Sequence, residues 1–270
     1  MNIKPLSLAV SALLLSATAS ADNTQPELSQ REVTLLTVDG LQFKDLNHSG
    51  KLEPYEDWRL TPQERAADLV KRMTLEEKAG VMMHGSAPTA NSPIGAGTHY
   101  DMAAARKMIE GAKVNSLITR LSAEDPAVMA EENNKLQQIA ETSRLGIPVT
   151  ISSDPRNSFE YLIGASTSSG KFTQWPETLG LAAIGNEKVT RRYADIVRQE
   201  YLAVGIREAL SPQADLATEP RWARISGTFG EDPTRVHHMV RGYVEGMQNG
   251  ADGLDSGSVI SVVKHWVGYG

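Results

Sequence analysis

The chain has 270 residues, no cysteine, 40% apolar residues and 33 acidic against 27 basic side chains, a net charge of −6. This composition excludes a disordered chain, a collagen-like or coiled-coil fibre and a disulfide scaffold, and the acidic balance with scattered Lys and Arg speaks against a nucleic-acid partner. The missing Cys removes thiolate metal sites and Cys nucleophiles, while the length suits one (β/α)8 barrel or two smaller domains.

Residues 1–21 read as a secretory signal peptide. Lys4 supplies the positive start, an apolar core follows over residues 6–15, and Ala19, Ser20 and Ala21 form a small-residue cleavage site. The run is too short for a spanning helix, which needs about 20 apolar residues. The sequence therefore predicts export to the periplasm or the medium, with cleavage after Ala21 and no membrane association afterwards.

Residues 22–60 form a lead-in whose first ten positions are polar. Residues 38–43 look like strand and turn. The run DLNHSGKLEPYE at 45–56 then matches a calcium loop: Asp45, Asn47 and Ser49 as oxygen ligands, Lys51 through its carbonyl, Glu56 as the closing bidentate ligand and Gly50 at the sharp turn. The strand-like lead-in is not the entering helix of an EF-hand. A structural calcium ion and an Asx-rich turn capped by its own side chains both remain open.

From residue 61 onward helix and strand signals alternate. Thr61, Pro62 and Glu64 make a capping box with Pro at the first helical position, and Ala66, Leu69, Val70 and Met73 follow at helical spacing. Thr74 with Glu77 repeats the box, and Asp101 caps a helix carrying Ala105, Met108 and Ile109. Long helices are predicted over 126–144 and 186–204, and another from Asp232-Pro233 to Gly250. Between them lie short β-branched runs at 114–118, 147–151, 206–210 and 259–263, as expected of strands buried on both faces. This alternation predicts a parallel α/β sheet.

Polar clusters follow three of these strands: Ser152-Ser153-Asp154, residues 211–215, and Lys264-His265. In parallel α/β folds the chemistry sits at the carboxyl ends of strands, so three such clusters point to one rim. Asp154 can accept two sugar hydroxyls or simply cap a turn. Arg221 and Arg224 flank Trp222, an aromatic-plus-fork arrangement suited to a sugar ring; alternatively Arg221 pairs with Asp215 or Glu219 to pin its loop. Glu231 and Asp232 are best read as a helix start. Lys264 ends an apolar strand, and a buried Lys needs a partner. The six His residues are dispersed, and His237 and His238 point apart on a helix, which argues against zinc.

The order of these motifs resembles glycoside hydrolase family 3, the β-glucosidase type. The resemblance is carried by residues 73–81 (MTLEEKAGV), 144–154 (RLGIPVTISSD), 175–183 (WPETLGLAA), 200–206 (EYLAVGI), 211–224 with 229–233, and 264–270 (KHWVGYG). It implies a (β/α)8 TIM-barrel-like domain over 61–270, truncated after about five or six βα units. It also implies retaining hydrolysis of terminal β-D-glucosyl residues in a small-molecule or oligosaccharide β-glucoside, by an Asp nucleophile and a Glu acid/base, with no cofactor required. The residues it carries over are the glycone-binding set Asp154, Arg221, Lys264 and His265. The family's nucleophile lies downstream of Gly270, so the resemblance implies a fragment that binds sugar without hydrolysing it. Val267 and Tyr269 stand where the hexosaminidase branch has Pro and His, which favours a glucosidase over a β-N-acetylhexosaminidase. A non-catalytic carbohydrate- or calcium-binding protein is the reading from another class.

Overall fold

The computed structural model describes residues 24–90, 97–159, 166–266, 268 and 270. The expected signal peptide and the Val267 and Tyr269 positions lie outside the described residues.

The lead-in opens with a hairpin, β1 (Leu35–Val38) and β2 (Leu41–Lys44), paired antiparallel. Its tight turn is Asp39-Gly40, both at positive φ (54° and 77°), the geometry that Asp-Gly favours between strands. The hairpin docks on the body of the protein through Glu141, whose carboxylate accepts the backbone N–H groups of Arg31 and Glu32 (both 2.7 Å) and meets Lys44 Nζ at 3.1 Å. Phe43 stacks on Trp58 with ring centroids 5.3 Å apart, and Tyr55 donates to the Leu145 carbonyl. Gly146 (φ 57°) lies so close to Leu46 that a Cβ there would stand 2.5 Å from its carbonyl oxygen.

The helices begin where the caps predict. Thr61 and Thr74 form complete capping boxes at the starts of α1 (Pro62–Arg72) and α2 (Leu75–Val81). Asp101, Asp125 and Asp232 cap α3 (Met102–Arg106), α4 (Pro126–Glu141) and α7 (Pro233–Met247). Helix α3 runs on into a π-helical turn, Lys107–Gly111. The predicted 186–204 helix is α6 (Glu187–Ala203). One helix, α5 (Thr178–Ile184), was not predicted.

Five strands form one parallel sheet in the order β3 (His84–Ser86), β4 (Ser116–Ile118), β5 (Thr150–Ser153), β6 (Glu208–Ala209) and β7 (Ile260–Ser261). Every strand pairs with its neighbour in sequence. A doubly wound sheet reverses its strand order at a switch point; an order that never reverses is that of a barrel. The fold is thus TIM-barrel-like, with five parallel strands among the described residues. The core packs Leu117, Ile151, Ile206 and Ala209 of this sheet region against Leu136, Tyr201, Met239 and Tyr243 of the outer helices. Helices α6 and α7 approach closely because Gly242 and Gly246 face Glu187 and Arg191, where a Cβ would collide with backbone. Among the described residues no helix is long and apolar enough to cross a membrane.

Candidate active site

The carboxyl ends of four consecutive strands converge on one polar cluster. Asp154 follows β5 and is only 5% exposed. Its Oδ1 lies 3.2 Å from Lys264 Nζ, which arrives from beyond β7, and its Oδ2 lies 3.5 Å from Arg120 Nη1, from beyond β4. Asp215, in the segment after β6, is 1% exposed and accepts from His265 at two points: ring Nδ1 at 2.7 Å and backbone N at 3.2 Å. Sheet topology thus brings together residues up to 110 positions apart. Lys264, half-buried, finds in Asp154 the carboxylate partner that the sequence leads one to expect, although Ile260 and Val263 of the run before it are exposed.

The cluster is braced from behind. Tyr201 of α6 donates to the Asp154 carbonyl at 3.3 Å; burial pushes its phenol up to about 12, so it stays a neutral donor. The Ser211 hydroxyl and the Tyr243 hydroxyl are 2.7 Å apart, and His84 Nε2 meets Ser152 Oγ at 2.7 Å. Beside Lys264 a cleft opens, lined by Gln213, Arg224 and Asn157 and backed by Tyr193 and Tyr243.

Of the predicted glycone-binding set, Asp154, Lys264 and His265 meet here and Arg221 does not. The Arg221 guanidinium is 87% exposed and bidentate on Glu219 (2.8 and 2.9 Å), two residues away in the same loop. That is the loop-pinning alternative left open by the sequence, and the fork holds Glu219 below its usual carboxylate range. Arg224 takes the inward place instead: its Nη1 is 3.4 Å from His265 Nε2 and its Nη2 is 3.4 Å from Gln213 Oε1. A short helical turn, Ile225–Gly227, follows Arg224. Sequence reasoning missed Arg120 as well, although it stands two residues past the end of the strand predicted over 114–118.

The Asp45–Glu56 loop closes on its own amide groups. Asp45 accepts from Ser49 N and Gly50 N, both at 2.9 Å. Glu56 accepts from Leu46 N at 2.8 Å, Asn47 N at 3.2 Å and Glu53 N at 3.0 Å. The Ser49 hydroxyl, read as a calcium ligand, donates to the Lys51 carbonyl, also read as one. These contacts are those of the Asx-rich turn that the sequence offers beside the calcium loop.

Known proteins resemble this chain in sequence and in fold. Residues 74–270 match the family described as Glycosyl hydrolase family 3 N terminal domain. A periplasmic beta-glucosidase/beta-xylosidase of Dickeya chrysanthemi is 70% identical over 258 residues, covering 96% of this chain and 39% of that protein. Beta-glucosidase C of Emericella nidulans is 43% identical over 219 residues, covering 80% of this chain and 34% of that protein. In fold, the chain is similar to a β-glucosidase from Erythrobacter marinus, with TM-score 0.61 at 24% identity, over 78% of this chain and 26% of that one. The chain therefore spans well under half the length of these relatives.

Proposed function

The chain belongs to glycosyl hydrolase family 3, and from that premise we propose that it carries the glycone-binding part of an exported enzyme acting on β-glucosides, with β-xylosides as a second substrate class. The observation that carries this reading is the paired arrangement of Asp154 with Lys264 and Asp215 with His265 at adjacent strand ends. A carboxylate held between cations at a strand end accepts sugar O–H groups, Lys264 and Arg224 donate to the same ring, and His265 Nε2 offers it an acceptor. Hydrogen bonds to ring hydroxyls of this kind strengthen as the oxocarbenium-like state develops, which converts binding into rate. Arg224, not Arg221, belongs to the set.

Asp154 is committed to Lys264 and Arg120 and Asp215 to the His265 ring, in the roles of hydroxyl acceptor and His orienter. The attacking carboxylate and the acid/base of a double displacement are separate groups, and we assign them to neither Asp. The reading is therefore that the 270-residue chain binds β-glucosides and does not hydrolyse them. The periplasmic relative and the signal-like start both favour an exported protein. No metal takes part in the proposed binding chemistry.

The test is direct. The purified chain is titrated with methyl β-D-glucopyranoside by proton NMR and assayed against a chromogenic β-glucoside. Saturable binding that Asp154→Ala abolishes, without turnover, is the expected result. Turnover above background would overturn the assignment of the reacting carboxylates, and absence of binding would overturn the site itself.

A further inference from the structure

Arg156 is the largest fully buried side chain of the molecule as described, with 0% exposure. A buried guanidinium carries a heavy desolvation cost unless its donors are matched, and here they are spent in one direction. Nε donates to Ser153 Oγ at 2.8 Å, Nη1 to the Leu121 carbonyl at 3.0 Å and Nη2 reaches the Thr119 carbonyl at 3.5 Å. Those two carbonyls flank Arg120. The buried fork thus fixes the backbone on both sides of the one residue that meets Asp154 Oδ2 from the β4 side.

Arg120 itself is spent very differently. Its side chain is 26% exposed, and among the described residues its guanidinium makes no hydrogen bond closer than the 3.5 Å approach to Asp154. Asp154 consequently presents two oxygens, one beside Lys264 and the other beside Arg120. A vicinal hydroxyl pair on a pyranose fits this pattern: each O–H donates to one carboxylate oxygen and accepts from the cation next to it.

Resting on the reading of this cluster as a glycone site, we propose that Arg120 contacts the sugar directly, completing a clasp for a vicinal equatorial diol, and that Arg156 is the positioning residue that aims it. Glucosides and xylosides both present such a diol, so the clasp does not depend on the substituent at C5. It disfavours an epimer with one of the two hydroxyls axial.

The experiment titrates methyl β-D-glucopyranoside and methyl β-D-xylopyranoside into the purified chain and its variants by proton NMR. Arg120→Ala is expected to weaken both glycosides about tenfold, the size of one hydrogen bond to a charged group, and Arg120→Lys to recover part of the loss. Arg156→Lys keeps the charge but cannot span two carbonyls, so it weakens binding as Arg120→Ala does. The double variant Arg120→Ala/Arg156→Lys is no weaker than Arg120→Ala alone, because the clamp acts only through Arg120. Should Arg156→Lys fail to fold, Arg156→Gln, which keeps a planar donor but loses the fork that reaches both carbonyls, carries the same comparison. Wild-type affinity in Arg120→Ala overturns the contact, and additive losses in the double variant overturn the positioning role. If the unmutated chain and Asp154→Ala bind equally poorly, the glycone site itself is refuted and the inference falls with it.

Discussion

Asp215 holds His265 at two points, ring Nδ1 at 2.7 Å and backbone N at 3.2 Å, across 50 positions of sequence. With Nδ1 donating to the carboxylate, Nε2 is left as an acceptor for the Arg224 guanidinium at 3.4 Å. One carboxylate thereby sets both the orientation and the tautomer of the ring, as a partner on one imidazole nitrogen does for the other. Asp215→Asn can offer Nδ1 a donor instead, which forces the opposite tautomer and turns Nε2 from acceptor to donor against Arg224. Methyl β-D-glucopyranoside affinity is expected to fall about tenfold, and nitrogen-15 shifts of the His265 ring should report the exchanged tautomer. An unchanged ring spectrum would show that Asp215 does not set it.

Asp154 is buried and Lys264 half-buried, at 6% and 16% side-chain exposure. Removing one partner leaves the other charge desolvated, so Lys264→Met is expected to cost about 3 kcal/mol, as breaking a buried pair does. Asp154 keeps Arg120, which places the loss at the low end of that range. The double variant Asp154→Asn/Lys264→Met should lose less than the sum of the single losses, with a coupling of about 2 kcal/mol. Urea denaturation of the four proteins measures it, and additive losses would mean that the 3.2 Å contact carries no energy.

Much of this was legible in sequence because the signals are local. Each helix cap lies within one turn of the groups it satisfies, so Thr61, Thr74, Asp101 and Asp232 all mark real starts. The strand-end rule located Asp154, Lys264 and His265 without any knowledge of their partners. What failed is non-local or unpatterned. Strand β3 is His84–Ser86, too short and polar for a periodicity signal. Strand β5 begins at Thr150 instead of residue 147, because Pro148 has no N–H to give the ladder and Gly146 is turned against Leu46. Arg221 and Arg224 lie three residues apart in an irregular loop, where no period decides which one faces inward. Arg156 reads as a surface turn residue in Ser-Asp-Pro-Arg-Asn-Ser, and only the fold buries it under Arg120.

Glu77, inside α2, ties that helix to the loop before β5: Arg144 Nε donates to its Oε1 at 2.9 Å, and Arg144 Nη2 reaches both Oε2 and the Arg72 carbonyl. The Arg144 hydrogen bonds hold the Glu77 carboxyl below its ordinary value of 4.5. A carboxyl lowered on folding stabilises the fold above its unfolded pKa, and that contribution disappears as pH falls through the folded value. Glu77→Gln should therefore cost about 2 kcal/mol at neutral pH, in the range for hydrogen bonds to a charged group, and progressively less below pH 4.5. Melting curves of both proteins between neutral pH and the acid limb test it; a pH-independent difference would assign the loss to packing instead of charge.

The Asp45–Glu56 loop separates two causes of one sequence pattern. A calcium loop needs its carboxylates for the ion, whereas here Asp45 and Glu56 accept five backbone N–H groups between them, all within 3.2 Å. Bonds of that kind are expected to fold the loop without an ion. The turn also seats the lead-in: His48 Nε2 lies 3.0 Å from the Glu141 carbonyl oxygen, and Leu46 packs on Gly146. Asp45→Ala strips two charge-assisted bonds from a buried position and is expected to cost about 2–3 kcal/mol. A chelator added to the unmutated chain should leave its melting temperature unchanged, and added calcium should not raise it. A fall with chelator, reversed by calcium, would make the loop a metal site and the amide bonds its apo form. Loss of stability in Asp45→Ala without any response to calcium would assign the motif to turn formation alone.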